Sequence, residues 1–225
     1  MPKYAISDIH GCGLTFEELL NSIGLNKSDE LFILGDYINR MPRSKEVIDK
    51  IMYLQQNDYQ IHTIQGNHED MLLDYLDSGN PPSIFTETLD SFGVKKLNQL
   101  DNHYIDWFKN LKLYKDDREH IFVHAGLDFS KANPLEDSHN LMWIRGWYET
   151  INYKWLGDRK IIHGHEPITK KRIIEMRDQF DKNQVMDIDN GCFKMEQEGM
   201  GNLCCLNLDS LELHFQKNID QINLN

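Results

Sequence analysis

The chain has 225 residues, 40% hydrophobic and 27% charged, with a formal net charge of −12. That length and composition suit one domain with a substantial buried core. The acidic balance excludes broad, non-specific nucleic-acid binding, which depends on an excess of Lys and Arg, but leaves phosphorylated substrates open because bound cations supply local positive charge.

The first half alternates strand and helix. Residues 4–7 form an apolar strand, and Phe16, Leu19, Leu20 and Ile23 recur at helical spacing over 15–23. An apolar strand over 31–34 precedes a helix over 44–56, with Val47, Ile48, Ile51 and Leu54 inward. A strand over 60–64 leads into a helix over 68–76, so the first half reads βαβαβα, with a parallel sheet and right-handed crossovers. Residues 89–111 are helical in parts, interrupted at Gly93, and strands over 120–123 and 160–163 each end in a histidine motif. Short alternating strands follow over 185–188, 203–208 and 211–215, the last two joined as a hairpin through Asp209 and Ser210. From Lys217 the chain is polar and expected to be loose. No linker divides the sequence, so a single domain over 1–225 is expected.

No apolar run approaches the roughly 18–20 residues of a membrane span, and no signal-type apolar core opens the chain. The four cysteines, Cys12, Cys192, Cys204 and Cys205, have no zinc-type CxxC spacing. Reduced thiols and a cytoplasmic location are therefore expected.

Six side chains of metal-ligand type stand at strand ends, most of them beside a glycine: Asp8, His10, Asp36, Asn67, His124 and His165. Carboxylate and amide oxygens suit hard divalent ions, while imidazole moves the preference toward Mn²⁺, Fe or Zn and away from Ca²⁺ and Mg²⁺. Asp8 and His10 are two apart, so an extended strand end can aim both to one side. Asp36 is the natural carboxylate to bridge two ions. Singly each signal is weak; in order, with strand–turn–helix context at the first three, they form a set.

The segments Asp8-Ile9-His10-Gly11, Gly35-Asp36-Tyr37-Ile38-Asn39-Arg40 and Gly66-Asn67-His68-Glu69 resemble the three-part signature of calcineurin-like metallophosphoesterases. Within that family they are similar to the PPP-type serine/threonine phosphatases. Val123-His124-Ala125-Gly126, Trp143-Ile144-Arg145, Gly164-His165-Glu166-Pro167 and Asp187-Ile188-Asp189-Asn190-Gly191-Cys192 resemble the small bacterial and phage members. The resemblance covers nearly the whole chain. It implies an α/β fold of two mixed β-sheets packed as a sandwich with helices outside, a four-layer α/β/β/α arrangement. It also implies one metal on Asp8, His10 and Asp36, a second on Asp36, Asn67, His124 and His165, and a bridging hydroxide that attacks phosphorus. Arg40 and Arg145 would bind phosphate oxygens as planar charged forks, and His68 would protonate the leaving oxygen.

Family members that cleave diesters carry G-H-x-H where this chain has Gly164-His165-Glu166-Pro167; Pro167 stands in place of the second histidine, which favours phosphomonoesters or phosphoanhydrides. Asn39 stands where the family carries an aspartate, and Met41 where it carries a glycine. The Asn39 carbonyl is expected to accept the hydrogen bond of His68 without supplying negative charge, which weakens the acid and favours aryl phosphates or phosphoanhydrides over alkyl phosphates. His163 reads as structural, Tyr37, Trp143, Trp147 and Tyr148 as packing or cleft walls, and Lys170-Lys171-Arg172 as a solvated turn. Glu69 fits either the site or the start of its helix. The leading expectation is a Mn²⁺-dependent serine/threonine protein phosphatase, with Tyr as a further target. A bis(5'-nucleosyl)-tetraphosphatase-like hydrolase of dinucleoside polyphosphates is the second. The third is a non-catalytic phosphoprotein binder, suggested by Asn39 and Met41 and opposed by the intact ligand set and both arginines. The partners expected are thus a phosphorylated protein or a nucleotide, with neither nucleic acid nor membrane.

Overall fold

The computed structural model describes residues 1–77 and 80–220. Strands β1 (Lys3–Ile6), β2 (Glu30–Ile33) and β3 (Gln60–Thr63) pair in parallel, as the βαβ reading requires. On the other edge of β1 lie β8 (Asn202–Asn207) and β9 (Leu213–Lys217), each antiparallel to its neighbour, giving a five-stranded sheet ordered β3-β2-β1-β8-β9. A second sheet runs β4 (Tyr114–Asp116), β5 (His120–Val123), β6 (Lys160–His163), β7 (Val185–Asp187), with β5, β6 and β7 parallel.

Period-two alternation sorts the side chains into two cores. Leu31 and Ile33 join Tyr4 and Ile6 on the outer face of the first sheet. They pack against Phe16 and Leu19 of α1 (Gly13–Ser22) and Val47, Ile48 and Ile51 of α2 (Ser44–Gln56). Phe32 and Leu34 point the other way, into an inner core shared with Phe122, Ile162 and Leu206. The rings of Phe32 and Phe122 stack there at 3.8 Å, which joins sheet to sheet. Burying one such ring stabilises the fold by roughly 1.5–3 kcal/mol, so Phe32→Ala would open a void between the sheets. Ile173, Met176 and Phe180, from the helices Lys170–Asp178 and Phe180–Asn183, cover the far face of the second sheet. The result is helices, sheet, sheet, helices, the layering expected.

Residues 89–111 are helical in parts with a break at Gly93, as expected, and two other local expectations change. The helical stretch over 89–111 is two helices: Thr86–Phe92 stops at Gly93, whose φ of 67° is left-handed, and Asn102–Lys109 starts afresh from Asp101. Lys170-Lys171-Arg172 is a first helical turn, because Thr169 caps it by accepting from the Arg172 N–H at 3.3 Å. The last hairpin turns through residues 208–212, wider than Asp209-Ser210 alone, and Asn207 Oδ1 accepts from both of those N–H groups inside the turn.

The tail also differs from the expectation. Residues 217–220 are docked: Asp220 is buried and accepts from the N–H groups of Leu14 and Thr15 at 3.0 and 2.9 Å, capping α1. Residues 221–225 of that expectation lie outside the described residues. Among the described residues no helix is long and apolar enough to cross a membrane.

Candidate metal centre

Parallel strands end on a common edge, and the loops after β1, β2, β3, β5 and β6 meet there. The first two loops run side by side: the His10 and Gly11 N–H groups donate to the carbonyls of Asp36 and Tyr37, each at 2.8 Å. The backbone is bent hard at the residues the sequence singled out. Asp8, His10, Asp36, Asn39, Arg40 and His165 all have left-handed φ values, between 49° and 75°. Such conformations are unfavourable for non-glycine residues and concentrate where side chains must be aimed.

Asp36 stands in the middle. Its Oδ2 lies 3.5 Å from His10 Nε2 and 3.7 Å from His68 Nε2, and its Oδ1 lies 3.5 Å from His124 Nε2. Asn67 Oδ1 is 3.0 Å from His124 Nε2 and 2.9 Å from His165 Nδ1. Asp8 Oδ1 is 3.9 Å from His10 Nε2, while its Oδ2 accepts from the His165 N–H at 3.0 Å and from the Ser7 hydroxyl. The structure thus brings all six together, and all six are buried.

Glu69 holds this arrangement from behind. Its carboxylate accepts from the N–H groups of Asp36 and Tyr37 at 2.9 Å and of Gly66 at 3.1 Å, tying the loop after β2 to the loop after β3. Gly66 is needed where these loops touch, since a Cβ there would sit 2.3 Å from Asp36 Oδ1. Sequence reading left Glu69 open between site and helix end; the structure makes it a clamp on the loop that carries Asp36.

The donor set tests whether cations fit. His10 Nδ1 faces the Ile38 carbonyl at 3.0 Å and His124 Nδ1 faces the Leu34 carbonyl at 2.8 Å. Those carbonyls can only accept, so each ring carries its proton on Nδ1 and turns a bare Nε2 toward Asp36. His124 Nε2, Asn67 Oδ1 and Asp36 Oδ1 then converge as acceptors facing acceptors, an arrangement that a cation relieves. Burial lowers His10 to about 4 and His165 to about 2, holding both imidazoles in the neutral form that ligates. Two overlapping clusters result: His10, Asp36 and His68, and Asp36, His124 and His165. With Asp36 common to both, these clusters have the arrangement of a dinuclear metal site.

His68 and the arginines complete the cavity, about 480 Å³, into which His10, Asp36, Arg40, Asn67, Arg145 and His165 open. Here the structure corrects the expectation for Asn39. Its amide Nδ2, rather than its carbonyl, faces His68 Nδ1 at 2.8 Å. Thr88 decides the orientation. Its Oγ1 accepts from the Asn39 N–H at 3.1 Å and donates its own proton to Asn39 Oδ1 at 2.6 Å, which turns the NH₂ toward the imidazole. His68 therefore holds its proton on Nε2, the atom facing Asp36 and the cavity. Burial, then the neighbouring His10 and Arg40, push His68 well below the usual histidine range.

The other aromatic and histidine assignments separate cleanly. Tyr37 and Trp147 are core, and His163 is structural, with Nε2 2.9 Å from the Tyr148 hydroxyl. Only Trp143 of the four aromatics opens to the cavity, its indole N–H donating to Asp70 at 2.8 Å. Met41 is buried in the outer core. Cys12 is buried as well, and burial followed by the neighbouring Cys192 raises its thiol, so it is no reactive thiolate. Thr88, Phe193 and Lys194 were missed, because none belongs to a motif and only folding carries them to the site.

The sequence profile of the calcineurin-like phosphoesterases matches residues 1–200. The symmetrical bis(5'-nucleosyl)-tetraphosphatase of Wigglesworthia glossinidia brevipalpis is 35% identical over 133 residues, 56% of this chain and 45% of that protein. The chain thus spans less than half the length of that relative. The asymmetrical bis(5'-nucleosyl)-tetraphosphatase PrpE of Oceanobacillus iheyensis is 26% identical across 83% of this chain and 82% of its own. In fold, a protein serine/threonine phosphatase of Saccharomyces cerevisiae with similarity to human PP5 superposes with a TM-score of 0.70 at 16% identity, covering 100% of this chain and 82% of that one. At that identity the likeness speaks for the fold alone. With the family profile spanning most of its length and the two-sheet architecture around one ligand cluster, this chain belongs to the calcineurin-like phosphoesterases.

Proposed function

We propose that this protein hydrolyses the phosphoanhydride chain of dinucleoside polyphosphates, with bis(5'-nucleosyl) tetraphosphates as the substrate class. The observation that carries a hydrolytic reading is the convergence of six ligand-type side chains on Asp36, beside two arginines and His68, in one cavity. Asp8, His10 and Asp36 would hold one divalent cation, and Asp36, Asn67, His124 and His165 another, with Mn²⁺ the first candidate. Bound there, such ions supply Lewis acidity toward phosphoryl oxygens and acidify water. Arg40 and Arg145 orient the phosphate through paired N–H donors, and His68 presents its Nε2 proton to the departing oxygen.

Two features support the anhydride over a phosphoprotein. Relatives on both the symmetrical and the asymmetrical side carry the bis(5'-nucleosyl)-tetraphosphatase name, one of them aligned over 82% of its length. The Asn39 amide also leaves His68 Nδ1 without a carboxylate acceptor, which suits a leaving group that needs little proton assistance, as a nucleotide phosphate does.

The test is side-by-side turnover of diadenosine tetraphosphate, a phosphoserine peptide and an aryl phosphate, with each divalent ion supplied in turn. Nucleotide products at a kcat/KM well above that for the peptide are expected. Faster turnover of the peptide would replace this reading with a protein phosphatase, and no metal-dependent product from any substrate would leave a binding protein.

A further inference from the structure

Three cations line the cavity: Arg40, Arg145 and Lys194. Arg145 is exposed and reaches Glu166 at 3.7 Å, whereas Arg40 and Lys194 form no ion pair among the described residues. Lys194 lies in the loop after β7, outside every motif. Its backbone N–H closes a turn onto the Gly191 carbonyl at 2.8 Å, and its own carbonyl accepts from Gln197 at 3.0 Å. The aliphatic stem lies across Gly191: a Cβ there, at a left-handed φ of 58°, would sit 3.2 Å from both Lys194 Cδ and Pro167. The ammonium is thereby held over the Phe193 ring, 5.8 Å from its centroid. That ring meets His10 edge-on at 4.9 Å and lies 5.2 Å from the Arg40 guanidinium. A half-buried stem fixed by packing, carrying an unpaired cation beside the metal-ligand cluster, is what a second anionic group would meet.

We propose that Lys194 is a specificity residue for linked phosphates. With the reacting phosphoryl group among Asp36, Arg40 and His68, its ammonium takes a further phosphoryl group of the same chain. The inference rests on the anhydride reading above and names what selects it. A monoester offers one phosphoryl group and gains nothing from this lysine, whereas a polyphosphate gains a charge-assisted contact. In a protein of net charge −12, a multiply charged substrate depends on such local cations.

The experiment compares the wild type with Lys194→Ala and Lys194→Arg. The Lys194→Ala change is expected to lower kcat/KM for diadenosine tetraphosphate about tenfold more than for an aryl phosphate, mostly through KM, as loss of one charge-assisted phosphate contact predicts. Lys194→Arg should recover most of that ratio. Calorimetric titration of the Mn²⁺-loaded proteins with tripolyphosphate and orthophosphate reads the same contact without turnover, and the preference for tripolyphosphate should fall by a similar factor in Lys194→Ala. Equal losses on both substrates together with an unaltered tripolyphosphate preference would overturn the assignment. If the wild type hydrolyses phosphopeptide but not the tetraphosphate, the anhydride reading fails; the titration then decides Lys194 alone, since a retained preference in the variant removes its role.

Discussion

Replacing Asn39 by aspartate changes one atom's hydrogen-bonding character at the most informative place in the cavity. Asn39 Nδ2 now donates to His68 Nδ1 across 2.8 Å, and Thr88 holds the amide in that orientation. A carboxylate at the same position can only accept, so the ring must move its proton to Nδ1, and Nε2 then carries one only as imidazolium. At 2.8 Å and an effective dielectric near 20, a full charge pair is worth about 6 kcal/mol. Desolvating the new carboxylate offsets much of this, which leaves the His68 imidazolium favoured by roughly 1.4–4 kcal/mol more than in the wild type. The basic limb of the pH–rate profile should therefore lie at lower pH in Asn39→Asp, because the variant holds an Nε2 proton only as imidazolium, whereas the neutral wild-type ring keeps its own. A stronger acid helps most where the leaving oxygen is most basic, so the rate on an alkyl phosphate should rise about tenfold relative to an aryl phosphate, within the range general acids supply. The assay is kcat/KM for both substrates across pH at saturating divalent ion. An equal change on both, with no movement of the basic limb, would refute the proton placement derived for His68.

Other perturbations test the scaffold. Asp36→Asn removes the carboxylate shared by both clusters, and the number of divalent ions retained after desalting should fall from two toward one or none by elemental analysis. Glu69→Ala leaves three buried backbone N–H groups of Asp36, Tyr37 and Gly66 without their acceptor, and denaturant unfolding should register a loss of about 3 kcal/mol or more. Asp220→Ala uncaps α1 and should cost about 1–2 kcal/mol in the same measurement, whereas a loose tail would show no change. Burial lowers His163 from 6.5 to about 4, so the unfolded chain takes up a proton at this residue first as pH falls. The folded state loses stability between those values and keeps the full contribution above pH 6.5. His163→Gln should lessen that acid loss by about 3 kcal/mol at pH 4, read from unfolding midpoints at matched pH.

Helix 44–56 and strands 120–123 and 160–163 were legible in the sequence to the residue, because their apolar spacing is local and their ends are marked by Ser44, Gly126 and Gly164. The six ligand-type residues were legible for a related reason: each sits in a short strand-to-loop segment whose composition records the sharp turn it makes, and the left-handed backbone at four of the six bears that out. Strand β4 was not legible, since Tyr114-Lys115-Asp116 has no apolar signal and becomes a strand only by pairing with β5. The Thr88 hydroxyl on the Asn39 amide, the Glu69 carboxylate across two loops, the Asp220 cap on α1 and the Lys194 ammonium in the cavity all belong to the tertiary structure. Thr88 and Asn39 are 49 positions apart, and Asp220 and Thr15 are 205 apart. Nothing in either local segment encodes such a meeting. Periodicity acts through neighbours a few residues away, while these contacts exist only once the two cores have closed and set which loop ends share an edge.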